Sequence, residues 1–136
     1  SSAVVRGAVV AYSSDIKVQF LGVEPHVLAA HGPVCAEVAA QMADGARSRL
    51  GATYAMSTTG EAGPESASGQ PVGTVHVAVS GPSGTITREL DPLPGAREDI
   101  QSAAVEGALR LLGGVLALEK VGSQLGPDAQ VGNIED

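Results

Sequence analysis

Two stretches of the chain carry residue types that can do chemistry. The first centres on Lys17, in the opening turn of a short expected helix, Asp15 to Leu21, that Ser13 or Ser14 would cap. Asp15 suits the positive end of a helix. A lysine in the same turn does not, and the potential there pushes its ammonium toward the neutral, proton-accepting form. Taken alone, a solvated surface lysine accounts for the same residue. The second stretch is residues 52–80, ATYAMSTTGEAGPESASGQPVGTVHVAVS. It reads as a strand that breaks at Thr59-Gly60, a loop, and a second strand. The loop holds Gly60, Gly63, Pro64, Gly69, Pro71 and Gly73, a density that restricts the backbone to few conformations and lets its amides approach a ligand. Ligands in open α/β sheets gather at such strand ends; an ordinary surface loop fits the composition equally well.

The remaining reactive side chains point to no further chemistry. Cys35 is the one cysteine, so the chain has neither an internal disulfide nor a Cys-rich zinc site. It stands near a helix start with no evident base beside it and reads as a packed thiol. The three histidines, His26, His31 and His76, lack HExxH spacing or any carboxylate pattern that suggests a metal.

Around these residues the elements follow from periodicity. Residues 3–12, AVVRGAVVAY, form a β-branched run expected to be the first strand. A domain that opens this abruptly is expected to follow an upstream segment. Pro25 to Ala30 makes a helical turn or two, closed by His31-Gly32-Pro33. Val34 to Leu50 is a clear helix, with Val38, Met42, Ala46 and Leu50 on one face. Ala52 to Thr58, small and uncharged, reads as a strand buried on both faces. Gly73 to Ser80 alternates, with Val75, Val77 and Val79 on one side and Thr74, His76 and Ala78 on the other. The turn Gly81-Pro82-Ser83-Gly84 returns the chain as a hairpin strand, Thr85 to Leu90, so the sheet is expected to be mixed. Arg97 to about Leu118 is a long helix, weakened late by Gly113-Gly114, with Ile100, Ala104, Leu111 and Leu112 inward. Residues 1–121 are read as one domain and 122–136 as a flexible acidic tail.

At 136 residues, with 15 acidic against 8 basic side chains, the chain carries a formal charge of −7. It has no basic cluster for nucleic acid, no run of about 18 apolar residues and no signal peptide. The expectation is a cytoplasmic protein that binds neither nucleic acid directly nor a membrane. Its core is built from Ala, Val and Gly, with no Trp and one Phe.

Four segments in order resemble a known family. Arg6-Gly7-Ala8-Val9-Val10-Ala11-Tyr12-Ser13, then Lys17 and Leu21-Gly22-Val23, resemble the "RGGVVxYS…K…LGV" segment of the CinA C-terminal domain, a family that includes the nicotinamide-nucleotide amidases. His31-Gly32, through Glu37-Val38-Ala39 to Met42-Ala43-Asp44-Gly45-Ala46-Arg47, is similar to its "GAVS-EVA–MA-GAR" helix. Thr59-Gly60, Ala62-Gly63-Pro64 and Pro71-Val72-Gly73-Thr74-Val75 are similar to its "TGIAGP…PVGTV" core. The resemblance covers roughly residues 1–118. It implies an α/β fold, a three-layer α/β/α sandwich around a mixed sheet of four or five strands. It also implies hydrolysis of the carboxamide of nicotinamide mononucleotide to nicotinate mononucleotide and ammonia, by a serine nucleophile and a lysine base, without metal or cofactor. On that reading Lys17 is the general base, Tyr12 positions it or donates to the leaving amide, and Thr59 completes the catalytic set. Arg6, Thr58, Gly60, Ala62 and Gly63 become the substrate-binding positions. The loop amides from Gly60 to Gly63 would hold the phosphate or the oxyanion.

The chain also departs from that family. The family's serine lies in a strand–"AESCTGG"–helix segment that would precede Ser1. Glu61 replaces an aliphatic residue in the "TGIAGP" loop and brings a negative charge toward an expected phosphate. Cys35 stands where the family has Ser, and Gln101 where a second Arg follows Arg97. Two other readings stay open: a non-catalytic nucleotide-binding or assembly module of a CinA-type protein, and a generic mixed α/β binding domain. Exposed sheet surface is expected to be covered in a homo-oligomer or by the upstream segment.

Overall fold

The computed structural model of the protein describes residues 4–125. Its centre is β2 (Val75–Gly81), flanked by β1 (Ala55–Gly60) and β3 (Gly84–Glu89), all antiparallel, in the order β1-β2-β3. The alternation of β2 sends its side chains to two different partners. Val75, Val77 and Val79 pack on Ile100, Ala104, Ala108 and Leu111 of helix α4 (Arg97–Leu125). On the other face Ala78 meets Ala39 and Ala43 of α3 (Ala36–Leu50). Alanines on both sides let that helix lie close to the sheet, so this seam is thin and intolerant of added volume.

The outer side of α3 builds a separate cluster. Val38 and Met42 pack with Leu21, Val23 and Val27, which come from the chain around α1 (Ser14–Gln19) and α2 (Pro25–His31). Full burial of each such aliphatic contributes about 1.5–3 kcal/mol. The contact is close at Gly45, where a Cβ would overlap the carbonyl of Leu21. Gly51 closes α3 in the left-handed conformation (φ 61°, ψ 37°), which spares the Cβ penalty of any other residue.

The fold class expected from the sequence is α/β, and the structure has it. Several details differ. Residues 5–12, expected as the first strand, form no regular secondary structure. A strand needs a neighbour for its backbone groups, and this segment instead lies along α3: Arg6 donates through Nε to Leu50 O at 2.9 Å, and Val9 and Ala11 pack into the helical cluster. With that segment outside it, the sheet of the described residues has three strands, all antiparallel, and the expected fourth or fifth strand of a mixed sheet is not among them. β1 is an edge strand, not one buried on both faces; Met56, Thr58 and Gly60 are exposed. Helix α4 runs through Gly113-Gly114 to Leu125, beyond the expected end near Leu118 and into the segment read as a tail. Helix glycines cost only about 1 kcal/mol each, and Leu111, Leu112 and Val115 on either side of the pair pack toward the sheet. The remainder of the expected tail, and Ser1 to Ala3, lie outside the described residues. By length and composition α4 could cross a membrane; here one face of it is the lid of the valine core.

Candidate functional site

Lys17 sits within α1, a helix of only six residues, and lies in its last turn, not at an electropositive start. Its side chain is buried, with 6% exposure. Removal from water disfavours the ammonium, so burial lowers the Lys17 pKa below the ordinary lysine value. The proposed cause at sequence level, the helix start, is therefore replaced by desolvation. The backbone of Ala11 and Tyr12, just before α1, lies against the amine. Nζ donates to Ala11 O at 2.6 Å and to Tyr12 O at 3.4 Å. No carboxylate pairs with it among the described residues. In its neutral form the amine spends its two N–H groups on these carbonyls and keeps its lone pair as an acceptor.

The second half of the site gathers where α3 begins. The Thr59 hydroxyl donates to Pro33 O at 2.6 Å, which ties the end of β1 to the turn before α3. His76 lies directly across from Thr59, with Glu89 next in register on the same face. His76 Nε2 is 3.9 Å from Glu89 Oε1, while its Nδ1 is buried without a partner. Glu37 at the helix start has a lowered pKa: its own backbone N–H is the first cause, the Cys35 thiol the second, and the charges of His31 and His76 add to them. Cys35 stands at the N-cap, its thiol 3.7 Å from Gly32 O, and burial pushes its pKa up. That thiol is packed rather than reactive. Among the described residues no group of three or more His, Cys, Asp or Glu side chains could hold a metal.

The loop after β1 is organised from inside. Glu61 is 7% exposed and its Oε2 accepts the amides of Ala67 at 3.0 Å and Ser68 at 2.9 Å. Burial alone would raise its pKa; hydrogen bonds from the Ser68 side chain and from the amides of Ser68, Ala67 and Gly63 outweigh that and hold it below the ordinary carboxylate value. The Glu61 amide donates to Thr74 O and the Gly73 amide to Glu61 O, which clamps the two ends of the loop together. Arg97, at the start of α4, donates from Nη1 to Gly63 O at 2.9 Å. Gly63 itself has φ 81°, the left-handed region that favours glycine.

The structure thus brings some of the sequence-derived residues together and separates others. Lys17 and Tyr12 meet, but through the Tyr12 carbonyl; the phenol side chain is 83% exposed. Thr59, Gly60, Ala62 and Gly63 share one strand end, yet no hydrogen bond joins any of them to Lys17. The link between the halves is the Pro33–Cys35 turn, which receives the Thr59 hydroxyl and packs Cys35 in the same cluster as Ala11. Thr58 faces the α4 side of the sheet, opposite Thr59, because successive strand residues alternate. Arg6 lies at the C-terminal end of α3 on Leu50. His76 and Glu37 were not singled out in the sequence. The signal available was the alternation of β2, which puts His76 on the non-valine face with Ala78.

A three-stranded antiparallel sheet with helices on both faces defines an α/β domain. This chain belongs to the CinA C-terminal domain family, whose profile matches residues 1–116. It is 49% identical over 117 residues to a CinA-like protein of Frankia casuarinae, covering 86% of this chain and 27% of that one. A CinA-like protein of Mycobacterium tuberculosis is 45% identical over 113 residues, covering 82% of this chain and 26% of the relative. The chain thus spans about a quarter of the length of the curated relatives it matches. Among solved structures, the competence/damage inducible protein CihA of Agrobacterium tumefaciens superposes with a TM-score of 0.70 at 38% identity, covering 74% of this chain and 62% of that one. The competence damage-inducible protein A of Klebsiella pneumoniae gives 0.73 at 33%, covering 78% and 66%.

Proposed function

We propose that the domain is the amidase part of a CinA-type protein, hydrolysing the carboxamide of a nicotinamide nucleotide to the acid and ammonia. The observation that carries the reading is Lys17: buried and without a carboxylate partner, so that desolvation favours its neutral, proton-accepting form. A serine hydroxyl, expected from the upstream segment that the family resemblance implies, would attack the carboxamide carbon while Lys17 Nζ takes its proton. Collapse of the tetrahedral intermediate breaks the C–N bond, and the same proton returns to the departing ammonia. Water then hydrolyses the ester, with Lys17 again the base. Tyr12 acts in this scheme by holding the amine through its carbonyl. Thr59 and Gly60 border the substrate, with Gly63 and Ala62 shaping the loop behind them; Arg6 and Thr58 contribute from further away.

The same reading makes the protein a cytoplasmic, homo-oligomeric enzyme that needs no metal or cofactor. The unpaired 5–12 segment and the edge of β1 are where further strands would complete a mixed sheet in a three-layer sandwich. The test is ammonia release from nicotinamide mononucleotide by the full-length protein. Release that is abolished by Lys17→Ala supports the assignment; no release from the intact protein ends it. One observation favours the second reading, a nucleotide-binding module without turnover: the Thr59 hydroxyl is committed to Pro33 O. Binding of the nucleotide by calorimetry without ammonia release would select that reading.

A further inference from the structure

We propose that Glu61 is a built-in anion that fills the anion-binding amides of the 61–70 loop, so that this loop turns away a substrate's phosphate rather than holding it. The inference rests on the amidase reading for its substrate and on geometry for its mechanism. Backbone N–H groups that converge on one point form a concave site for an anion. In this loop the amides of Ala67 and Ser68 converge on one carboxylate oxygen, at 3.0 and 2.9 Å, and that carboxylate is over nine-tenths buried. No lysine, arginine or histidine pairs with it among the described residues, so its negative charge is balanced by these dipoles alone. At the base of the loop the Glu61 amide donates to Thr74 O and the Gly73 amide to Glu61 O, which holds the loop's ends in place. A phosphate arriving at the Ala67 and Ser68 amides would find both taken and a like charge between them.

Position makes this a matter of specificity. Glu61 directly follows Thr59-Gly60, the strand end that borders the substrate, and Arg97 fixes the adjoining Gly63 carbonyl. The substrate class that follows is a pyridine carboxamide whose sugar-phosphate tail gains nothing from this loop. The nucleoside is therefore turned over at least as well as the mononucleotide.

The experiment compares kcat/KM for ammonia release from nicotinamide mononucleotide and from nicotinamide riboside, using the full-length protein. Wild type is expected to show a mononucleotide-to-riboside ratio near or below one. Glu61→Gln keeps the shape and one acceptor but removes the charge, and is expected to raise the ratio about tenfold. A ratio is blind to a general loss of folded protein, which lowers both rates together. A second arm needs no activity: inorganic phosphate at constant ionic strength should raise the melting temperature of Glu61→Gly, whose emptied amides can bind it, and leave wild type unmoved. Should Glu61→Gly fail to fold, Glu61→Ser vacates the same amides, since its hydroxyl is two bonds too short to reach where the Glu61 carboxylate oxygen sits. A wild-type preference for the mononucleotide of about tenfold or more, unchanged in Glu61→Gln, overturns the proposal. If neither substrate releases ammonia, the amidase reading fails by itself. The phosphate arm then decides, and a folded Glu61→Gly or Glu61→Ser that phosphate does not stabilise overturns the inference.

Discussion

At the scale of single residues, Lys17 sets function against stability. A buried amine whose folded pKa lies below its ordinary value of 10.5 binds fewer protons in the fold than in the unfolded chain. Stability therefore carries a penalty at neutral pH, which is relieved as pH rises through the depressed pKa toward 10.5. Lys17→Met removes that penalty and keeps the aliphatic stem, at the cost of two carbonyl hydrogen bonds that water partly replaces. The expected outcome is a urea midpoint within about 1 kcal/mol of wild type at pH 7. Ammonia release should fall by about 10²–10⁴, the range of a lost general base. The difference in stability between wild type and variant should shift in favour of wild type between pH 7 and pH 10; a flat difference would show that the amine is not desolvated in solution. Lys17 was legible as a chemical candidate from its place after Ser13-Ser14. Its burial was not legible, because the Lys17 amine is met by the Ala11 and Tyr12 carbonyls of a segment that packs by α3, and a β-branched run gives no sign that it will do so instead of pairing in a sheet.

At the scale of elements, the loop and α3 each hinge on one residue. The Glu61 carboxylate has a depressed pKa relative to its ordinary value of 4.5, so its contribution to loop order is present above that pH and is lost as pH falls through the folded value. Limited proteolysis within residues 61–70 is expected to accelerate below about pH 4.5 in wild type, and to be faster and less pH-dependent in Glu61→Gln. Acceleration equal in both proteins would assign the acid effect to other groups. Gly45 fixes the crossing of α3 under Leu21. Gly45→Ala, which elsewhere in a helix would help by up to about 1 kcal/mol, is expected to destabilise by about 1–3 kcal/mol or more through overpacking, measured as a lowered urea midpoint. The elements themselves were largely readable, since α3, β2, β3 and most of α4 follow from valine alternation, helical spacing and turn residues. The edge character of β1 was not, because small uncharged residues such as Ala55 and Ser57 suit a half-covered strand as well as a buried one. The orientation of Thr58 against Thr59 became fixed only with the register of β1 on β2.

At the scale of the whole molecule, the candidate site straddles two cores. Lys17 bonds Ala11, which packs on the helical cluster of Leu21, Val23, Val38 and Met42; Thr59 and the Glu61 loop adjoin the sheet, whose valines pack on α4. What holds the halves in register is the alanine seam of Ala39, Ala43 and Ala78, together with the Ser57 hydroxyl donating to Ala39 O at 2.5 Å and Thr59 to Pro33 O. Ala43→Leu inserts volume into a contact that has no space for it, costs about 1–3 kcal/mol, and relaxes by moving α3 off the sheet. Because Leu21 and Val23, in the chain that follows α1, pack on the outer side of α3, that movement is expected to displace Lys17 relative to the strand end. Leu111→Ala opens a cavity on the opposite face, under α4, costs about 2–5 kcal/mol, and leaves both halves in place. Assayed at a temperature where each variant remains folded by circular dichroism, Ala43→Leu is expected to lose most of its ammonia release, while Leu111→Ala, the less stable of the two, keeps wild-type kcat/KM within about twofold. Misplacement of about 1 Å is enough for a hundredfold effect on rate, so activity should track the seam and not the overall stability. Activities that fall in proportion to the two stability losses would show that the seam is ordinary core and that the halves of the site are held together by something else.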